Sequence, residues 1–298
     1  MTSPTTQAAT ATAAVAAPPA EPTLATPLER EMALEAWLRA RGRVAIGYSG
    51  GVDSAYLAVV ARRTLGEGAV LAIIGRSASY PAEQWAMARR VADNFAIPVL
   101  ELDTEELADP RYAANPSNRC YFCKTELWGK LVPLARTLGY DAVADGTNAD
   151  DLGDHRPGAP AAREHHVASP LAELGFTKAD IRERSRLLGL PTWQQPSSPC
   201  LSSRLPYGTS VTVERLGQVE RAERALRELG VTGDLRVRYH DELARIELAP
   251  AELAYWLQPA HAERLRSAVA SAGFERVTVD LRGFRSGSLN VLHGVTAA

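Results

Sequence analysis

Six residues constrain this chain more than any others: Ser49-Gly50-Gly51-Val52-Asp53-Ser54. They follow the apolar run Val44-Ala45-Ile46-Gly47-Tyr48 and precede Ala55-Tyr56-Leu57-Ala58-Val59-Val60-Ala61. That order predicts a strand, a tight turn and a helix. Adjacent glycines open backbone angles closed to other residues and let a ligand approach the main chain. The first N–H groups of the helix have no internal partners, and the helix dipole adds partial positive charge there. With the Ser49 and Ser54 hydroxyls as further donors, the stretch predicts a phosphate cradle. Two glycines alone would as readily make an ordinary turn capped by serine or aspartate. No lysine follows them, so this is not the mononucleotide loop G-x-x-x-x-G-K-[ST], and the spacing is not G-x-G-x-x-G.

The full string resembles the PP-loop, S-G-G-x-D-S, of the ATP pyrophosphatase superfamily. Its members cleave ATP to AMP and pyrophosphate and adenylate a substrate oxygen. The resemblance implies that Ser49, Gly50, Gly51, Asp53 and Ser54 hold the pyrophosphate end of ATP, Asp53 through magnesium.

The flanking chain alternates helix and strand. Pro27 to Arg41 predicts an amphipathic helix. Val70–Ile74, ended by Gly75, predicts a buried strand, and Val99–Leu102 and Asp141–Asp145 predict two more strands, with a helix over Pro81–Asn94. The expected fold is α/β, a doubly wound parallel sheet with a second, smaller α/β domain. Ligands in such sheets lie at the carboxyl ends of the strands. Gly75, Arg76 and Ser77 belong there, as do Gly146, Thr147 and Asn148. In PP-loop enzymes the end of the second strand contacts adenine through its backbone. The acid-rich loop after Asn148 reads either as solvated surface or, by position, as part of the nucleotide site.

Lys178–Leu188 predicts a helix stopped by Gly189 and Pro191. The serine- and proline-rich stretch Pro196–Gly208 follows, and the domain boundary is expected just after it. The expected organisation is a disordered tail over 1–26, a nucleotide-binding domain over 27–208 and a small α/β domain over 209–298. In the last, a helix runs from Val211 to Gly230. Arg236–His240 and Ala244–Leu248 alternate as a hairpin, a helix spans 259–272, and Arg276–Leu281 makes a third strand. Arg236, Arg238 and His240 share one strand face. That face is either solvated or, with Arg282 and Arg285, an anion site for a phosphorylated substrate.

Three cysteines, Cys120, Cys123 and Cys200, do not make a disulfide framework in a chain of 298 residues. With no secretory or mitochondrial leader pattern in the Ala-, Thr- and Pro-rich start, they point to a reducing, cytoplasmic setting. Cys120-x-x-Cys123 near a helix start could be redox-active, half of a zinc site, or part of a [4Fe–4S] cluster with one iron free. The helix start, Arg119 and Lys124 favour thiolate there. A net charge of −2 gives no support for nucleic-acid wrapping by bulk charge, and no apolar run reaches the ~18 residues of a membrane span.

Several motifs in order are similar to those of the LarE family: the PP-loop, Arg119-Cys120-Tyr121-Phe122-Cys123-Lys124, Asp145-Gly146-Thr147-Asn148 with Asp154-His155-Arg156-Pro157-Gly158, Pro199–Gly208 and Gly283-Phe284-Arg285-Ser286-Gly287. These ATP-dependent sulfur transferases make the nickel-pincer nucleotide cofactor of lactate racemase. The resemblance implies adenylation of a carboxylate of pyridinium-3,5-biscarboxylic acid mononucleotide and its conversion to a thiocarboxylate. One branch sacrifices a cysteine, here Cys200, which becomes dehydroalanine. The pair Cys120 and Cys123 resembles the other branch, in which a [4Fe–4S] cluster on three cysteines carries sulfur from sulfide or another donor. Ser203 and Arg204 would hold the substrate or thiolate near Cys200. The resemblance also implies a homo-oligomer, a hexamer. The alternatives are tRNA thiolation by a cluster-bearing PP-loop enzyme and amide synthesis of the NAD or GMP synthetase kind.

Overall fold

The computed structural model describes residues 26–153 and 156–285. The expected tail over 1–26, but for Thr26, lies outside them, as do Asp154, His155, Ser286 and Gly287. In chain order the elements are α1 (Pro27–Arg41), β1 (Val44–Gly47), α2 (Val52–Leu65), β2 (Val70–Arg76), α3 (Ala82–Asn94), β3 (Val99–Asp103), α4 (Pro110–Ala113), α5 (Arg119–Thr137), β4 (Ala142–Ala144), α6 (Ala159–Glu164), α7 (Pro170–Glu173) and α8 (Lys178–Leu187). After them come α9 (Val213–Glu228), β5 (Leu235–His240), β6 (Leu243–Leu248), α10 (Pro250–Trp256), α11 (Pro259–Ala270) and β7 (Arg276–Val279).

The first four strands form a parallel sheet in the order β3-β2-β1-β4. The chain leaves β1 on one side to build β2 and β3, then returns to its other side for β4. That reversal opens a crevice at the carboxyl ends of β1 and β4. Both faces are covered, as a parallel sheet requires. Leu34, Leu38, Tyr56, Val91 and Phe176 pack on one side. Trp128, Leu131, Val132 and Ala135 of α5 pack on the other, against Ala45, Ile73 and Val143.

The second sheet has the order β5-β6-β7, antiparallel and then parallel. Its core joins Val219, Leu226, Val237, Ile246, Leu265 and Val269. Leu201 and Leu205 belong to this core too, so the Pro196–Gly208 loop is anchored on the smaller unit. Several strand ends differ by one or two residues from expectation, and two of them have a visible cause. β2 runs past Gly75, because Thr104 N–H donates to the Arg76 carbonyl at 2.8 Å. β7 stops at Val279, because Asp280 accepts from its own turn at Arg282 N–H, 2.9 Å. Among the described residues no helix is long and apolar enough to cross a membrane.

Thr26 caps α1 in a reciprocal box with Glu29. Glu31, on the same helix, is buried and accepts from Arg184 at 2.9 and 2.7 Å and from Tyr56 Oη at 2.8 Å. Burial alone would raise its pKa, but the Arg184 and Tyr56 bonds outweigh that and hold it below the usual carboxylate value. Its stabilisation is therefore present above the unfolded-state pKa and is lost as pH falls through the folded one. Glu31→Ala is expected to lower the unfolding free energy by about 2 kcal/mol at neutral pH, since it leaves the partly buried Arg184 guanidinium and the buried Tyr56 hydroxyl without their acceptor. In urea melts the gap from wild type should close below about pH 4.

Candidate active site

The PP-loop turns at the end of β1. Gly50 has φ +67°, and a Cβ there would lie 2.4 Å from the Ala88 methyl and 2.7 Å from its Cα, so no side chain fits. Inside the turn, Ser49 N–H donates to Ser54 Oγ at 3.2 Å, the two hydroxyls stand 3.2 Å apart, and Gly51 N–H donates to Ser49 Oγ at 3.4 Å. The first internal bond of α2 is Ala55 N–H to Gly51 C=O, 2.9 Å. The N–H groups of Val52, Asp53 and Ser54 therefore lack helical acceptors, which is what an anion needs. Gly146 closes the crevice from β4: a Cβ on it would lie 2.8 Å from Ser54 N. Thr147 follows, held to Asp145 by its N–H at 3.0 Å and its hydroxyl at 2.9 Å.

Asp53 pairs through one oxygen with Lys178, while its other oxygen is buried with no partner. Lys178 opens α8, where a cation opposes the helix dipole. Its backbone N–H donates to Asp150 at 2.7 Å. Asp151 is pushed upward by burial, against the pull of Arg156, with Asp53 adding to the rise. The acid-rich loop is thus folded against the PP-loop rather than extended into solvent. An unpartnered carboxylate oxygen beside a phosphate cradle fits a hard cation such as magnesium. On the other edge, Arg76 is held by Glu101 at 2.6 Å and lies 5.0 Å over the Trp85 ring, and Ser77 Oγ meets Ser79 Oγ at 2.8 Å.

The cysteine loop has little regular structure, and guanidinium groups fix its carbonyls one by one. Arg182 donates to Trp193 and Gln195 at 2.8 and 2.9 Å, and Arg204 to Pro199 and Cys200 at 2.6 and 3.1 Å. Arg119 holds Ser202 at 3.0 Å, Arg238 holds Ser203 at 3.0 Å, and Arg236 bonds the Ser197 carbonyl. Arg204 is itself forked onto Glu223 at 2.9 Å twice, and touches Ser203 Oγ at 3.1 Å. Ser202 meets Tyr112 Oη at 2.7 Å. Asn115, fully buried, reaches the Pro206 and Thr209 carbonyls at 2.8 and 2.9 Å and so ties the approach to α5 to the same loop.

These ties bring the three cysteines into electrostatic reach of one another. Burial pushes the Cys120 thiol up, and Cys200 pushes it further, against Arg119 and Lys124. Burial, Glu106 and Cys200 push Cys123 up. The expected low-pKa pair is therefore corrected: desolvation outweighs the helix start and the two cations. A buried thiol gives up its proton readily only to a centre that takes its charge. All three are free. Among the described residues no three acidic, histidine or cysteine side chains converge as ligands of one ion. The sulfur donors present are Cys120, Cys123 and Cys200, one short of the four ligands of a structural zinc site.

The arginine stripe is not a solvated face. Arg236 and Arg238 are buried against the cysteine loop. Burial, with Arg204 and Arg238 adding to it, lowers Arg236 to about 10, still cationic at neutral pH. Phe284 explains part of its motif, since Arg236 lies 4.8 Å over that ring. Arg238 pairs with Glu247 at 2.7 Å, and Arg245 joins Glu247 to Asp280 at 3.2 and 3.1 Å. Arg282 and Arg285 meet Asp280 at 3.4 and 3.6 Å. In this chain of charges cations outnumber acids. The sequence reading missed Lys178, Arg119's hold on the loop, Arg182 and Arg245. Only Lys178 left a local signal, a cation beside the capping Thr177.

Comparison with known proteins follows the same lines. A family model described as NAD synthase matches residues 33–116, the segment from α1 through the PP-loop to the approach to α5. The chain is 35% identical over 267 residues to pyridinium-3,5-bisthiocarboxylic acid mononucleotide synthase of Lactiplantibacillus plantarum, covering 90% of this chain and 96% of that one. It is 49% identical over 248 residues to an uncharacterized protein of Synechocystis, covering 83% and 92%. A third relative, an uncharacterized protein of Methanocaldococcus jannaschii, is 30% identical over 248 residues, covering 82% and 91%.

Proposed function

Because the chain belongs to the LarE family of PP-loop enzymes, we propose that it is an ATP-dependent sulfur transferase acting on pyridinium-3,5-biscarboxylic acid mononucleotide. The observation that carries the reading is the joining of two sites: the arginine-held loop of Cys200 is bonded to the turn beside the PP-loop, Leu201 N–H to Ser79 C=O at 2.8 Å.

In the proposed reaction Ser49, Gly50, Gly51 and Ser54 hold the β- and γ-phosphates of ATP, and Asp53 faces magnesium. Gly75, Arg76 and Ser77 line the adenine side, and Gly146 and Thr147 close the opposite wall. A substrate carboxylate attacks the α-phosphorus and pyrophosphate departs. Magnesium, which Asp53 would hold, would supply charge stabilisation to the phosphates, and Lys178, beside Asp53, neutralises the leaving group. Arg282 and Arg285, exposed at the edge of the network, take the substrate phosphate, with the buried Arg236 and Arg238 adding positive charge beside it. Ser203 and Arg204 orient the acyl adenylate at Cys200.

Cys120, Cys123 and Cys200 would hold a [4Fe–4S] cluster, which when bound supplies an iron able to carry an extra sulfide. The second route needs only this chain. The Cys200 thiolate adds to the acyl carbon and AMP leaves; loss of the Cys200 α-proton then breaks the Cβ–S bond and leaves dehydroalanine. Its support is that Cys200 heads a short helical turn, Leu201–Arg204, within electrostatic reach of Cys120 and Cys123. The proposal includes a homo-oligomer, for which exposed Tyr255 and Leu281 on the smaller unit offer apolar contact.

The test is anaerobic reconstitution followed by incubation with ATP and the pyridinium mononucleotide. Thiocarboxylate with matching AMP supports the activity. About four irons per chain, lost in Cys120→Ala, support the cluster. AMP without thiocarboxylate would overturn the sulfur-transfer reading.

A further inference from the structure

Gln84 is a buried polar side chain that the reaction above does not use. It lies on α3, on the face that packs against the PP-loop beside Ala88. Its Nε2 donates to the Ser49 carbonyl at 3.0 Å, and its Oε1 accepts from Gln195 Nε2 at 2.8 Å. The orientation of this amide is fixed by chemistry. A carbonyl only accepts, so Nε2 must face Ser49, and Oε1 is left for the Gln195 donor. Gln195 has no second choice either. Its backbone carbonyl is taken by Arg182, and its own Oε1 is buried without a partner.

A second link runs beside the first. Tyr80 Oη donates to the same Ser49 carbonyl at 2.9 Å, and Ser79 C=O accepts from Leu201 N–H at 2.8 Å. The turn between β2 and α3 therefore touches the PP-loop through Tyr80 and the cysteine loop through Ser79, beside the Gln84–Gln195 pair on α3. Ala82 N–H donates to Glu220 of α9 at 2.7 Å, which fixes this turn to the smaller unit as well.

We propose that Gln84 is a positioning residue for sulfur transfer: it couples the PP-loop to the Cys200 loop, so that a filled nucleotide site sets where the sulfur is delivered. The inference rests on the reading under Proposed function. Acyl transfer needs its reacting atoms about 3–3.5 Å apart, and a misplacement of 1 Å can slow such a step about 100-fold. Adenylation depends on the PP-loop, which Tyr80 still braces when Gln84 is lost. Sulfur transfer depends on the distance between the two loops, which the Gln84–Gln195 pair spans.

The experiment uses full-length Gln84→Met and Gln195→Met, which keep side-chain length and remove the amide bonds. AMP and thiocarboxylate are counted in the same reaction. AMP formation is expected to fall no more than a few-fold and thiocarboxylate about 100-fold, so AMP released per product rises at least tenfold. Parallel loss of both products in both variants, a merely structural effect, would overturn the proposal. A second readout needs no turnover. Iodoacetamide labelling of Cys200, resolved by peptide mass, is timed with and without magnesium and α,β-methylene-ATP. The analogue should change the labelling rate in wild type and leave it unchanged in Gln84→Met; an equal response in both proteins would overturn the coupling. If wild type makes no AMP from the pyridinium nucleotide, the assigned activity fails, while the labelling comparison still decides the coupling.

Discussion

Asp53→Asn is expected to lower pyrophosphate release about 1,000-fold while leaving the fold intact. The substitution keeps the shape of the side chain and removes its charge. In the native loop one Asp53 oxygen is paired with Lys178, and the other is buried without a partner. An amide can satisfy neither the ammonium nor a magnesium ion as a carboxylate does. Loss of a metal or donor that stabilises charge developing on a phosphoryl group accounts for a rate effect of this size. Melting should change little, because both side chains of the pair are partly exposed and such pairs contribute little to stability. Pyrophosphate release coupled to an enzymatic readout, with AMP counted separately, is the measurement. Release within threefold of wild type would remove the PP-loop from the reaction. Lys178→Met makes the complementary variant: it should weaken pyrophosphate inhibition, since its proposed partner is the leaving group.

Cys200→Ser should separate the two halves of the reaction. AMP formation is expected to continue, because the bonds that shape the PP-loop run among Ser49, Gly51 and Ser54 and do not use Cys200. Thiocarboxylate should fall below detection, since either proposed sulfur route passes through this thiol or needs it as a ligand. The serine fits the site: its backbone carbonyl still accepts from Arg204 at the position where Cys200 does at 3.1 Å. The two routes then part on one observation. Intact-mass measurement of wild type after a single turnover without added sulfide shows Cys200 depleted of sulfur if it is consumed, and unchanged if it is a ligand. Thiocarboxylate formation by Cys200→Ser would remove Cys200 from both routes.

The larger sheet was readable because its signals are local. The apolar runs of β1 and β2 are continuous, as central strands buried on both faces demand, while the edge strand β3 carries Glu101 and Asp103 and is only partly buried; the alternation of these strands with helices forces parallel pairing. The PP-loop was readable for the same reason: its glycines, hydroxyls and helix start are contiguous. The period-two pattern of β5 correctly put Arg236 and Arg238 on one face, but periodicity does not say what covers a face. Only the folded chain shows that the cysteine loop lies over it. The thiol pair misled for a related reason. Neighbouring Arg119 and Lys124 are visible in sequence, whereas the burial that outweighs them comes from distant segments.

The PP-loop turn, the helices and strands of the smaller unit and the Cys120–Cys123 pair are legible in the chain because each is written in neighbouring residues. How those parts meet is set by packing between distant segments. Lys178 and Asp53 are 125 residues apart and Gln84 and Gln195 are 111 apart. No local pattern encodes either pair. Buried polar groups must find partners wherever packing brings them, and that requirement joins the PP-loop to the loop of Cys200.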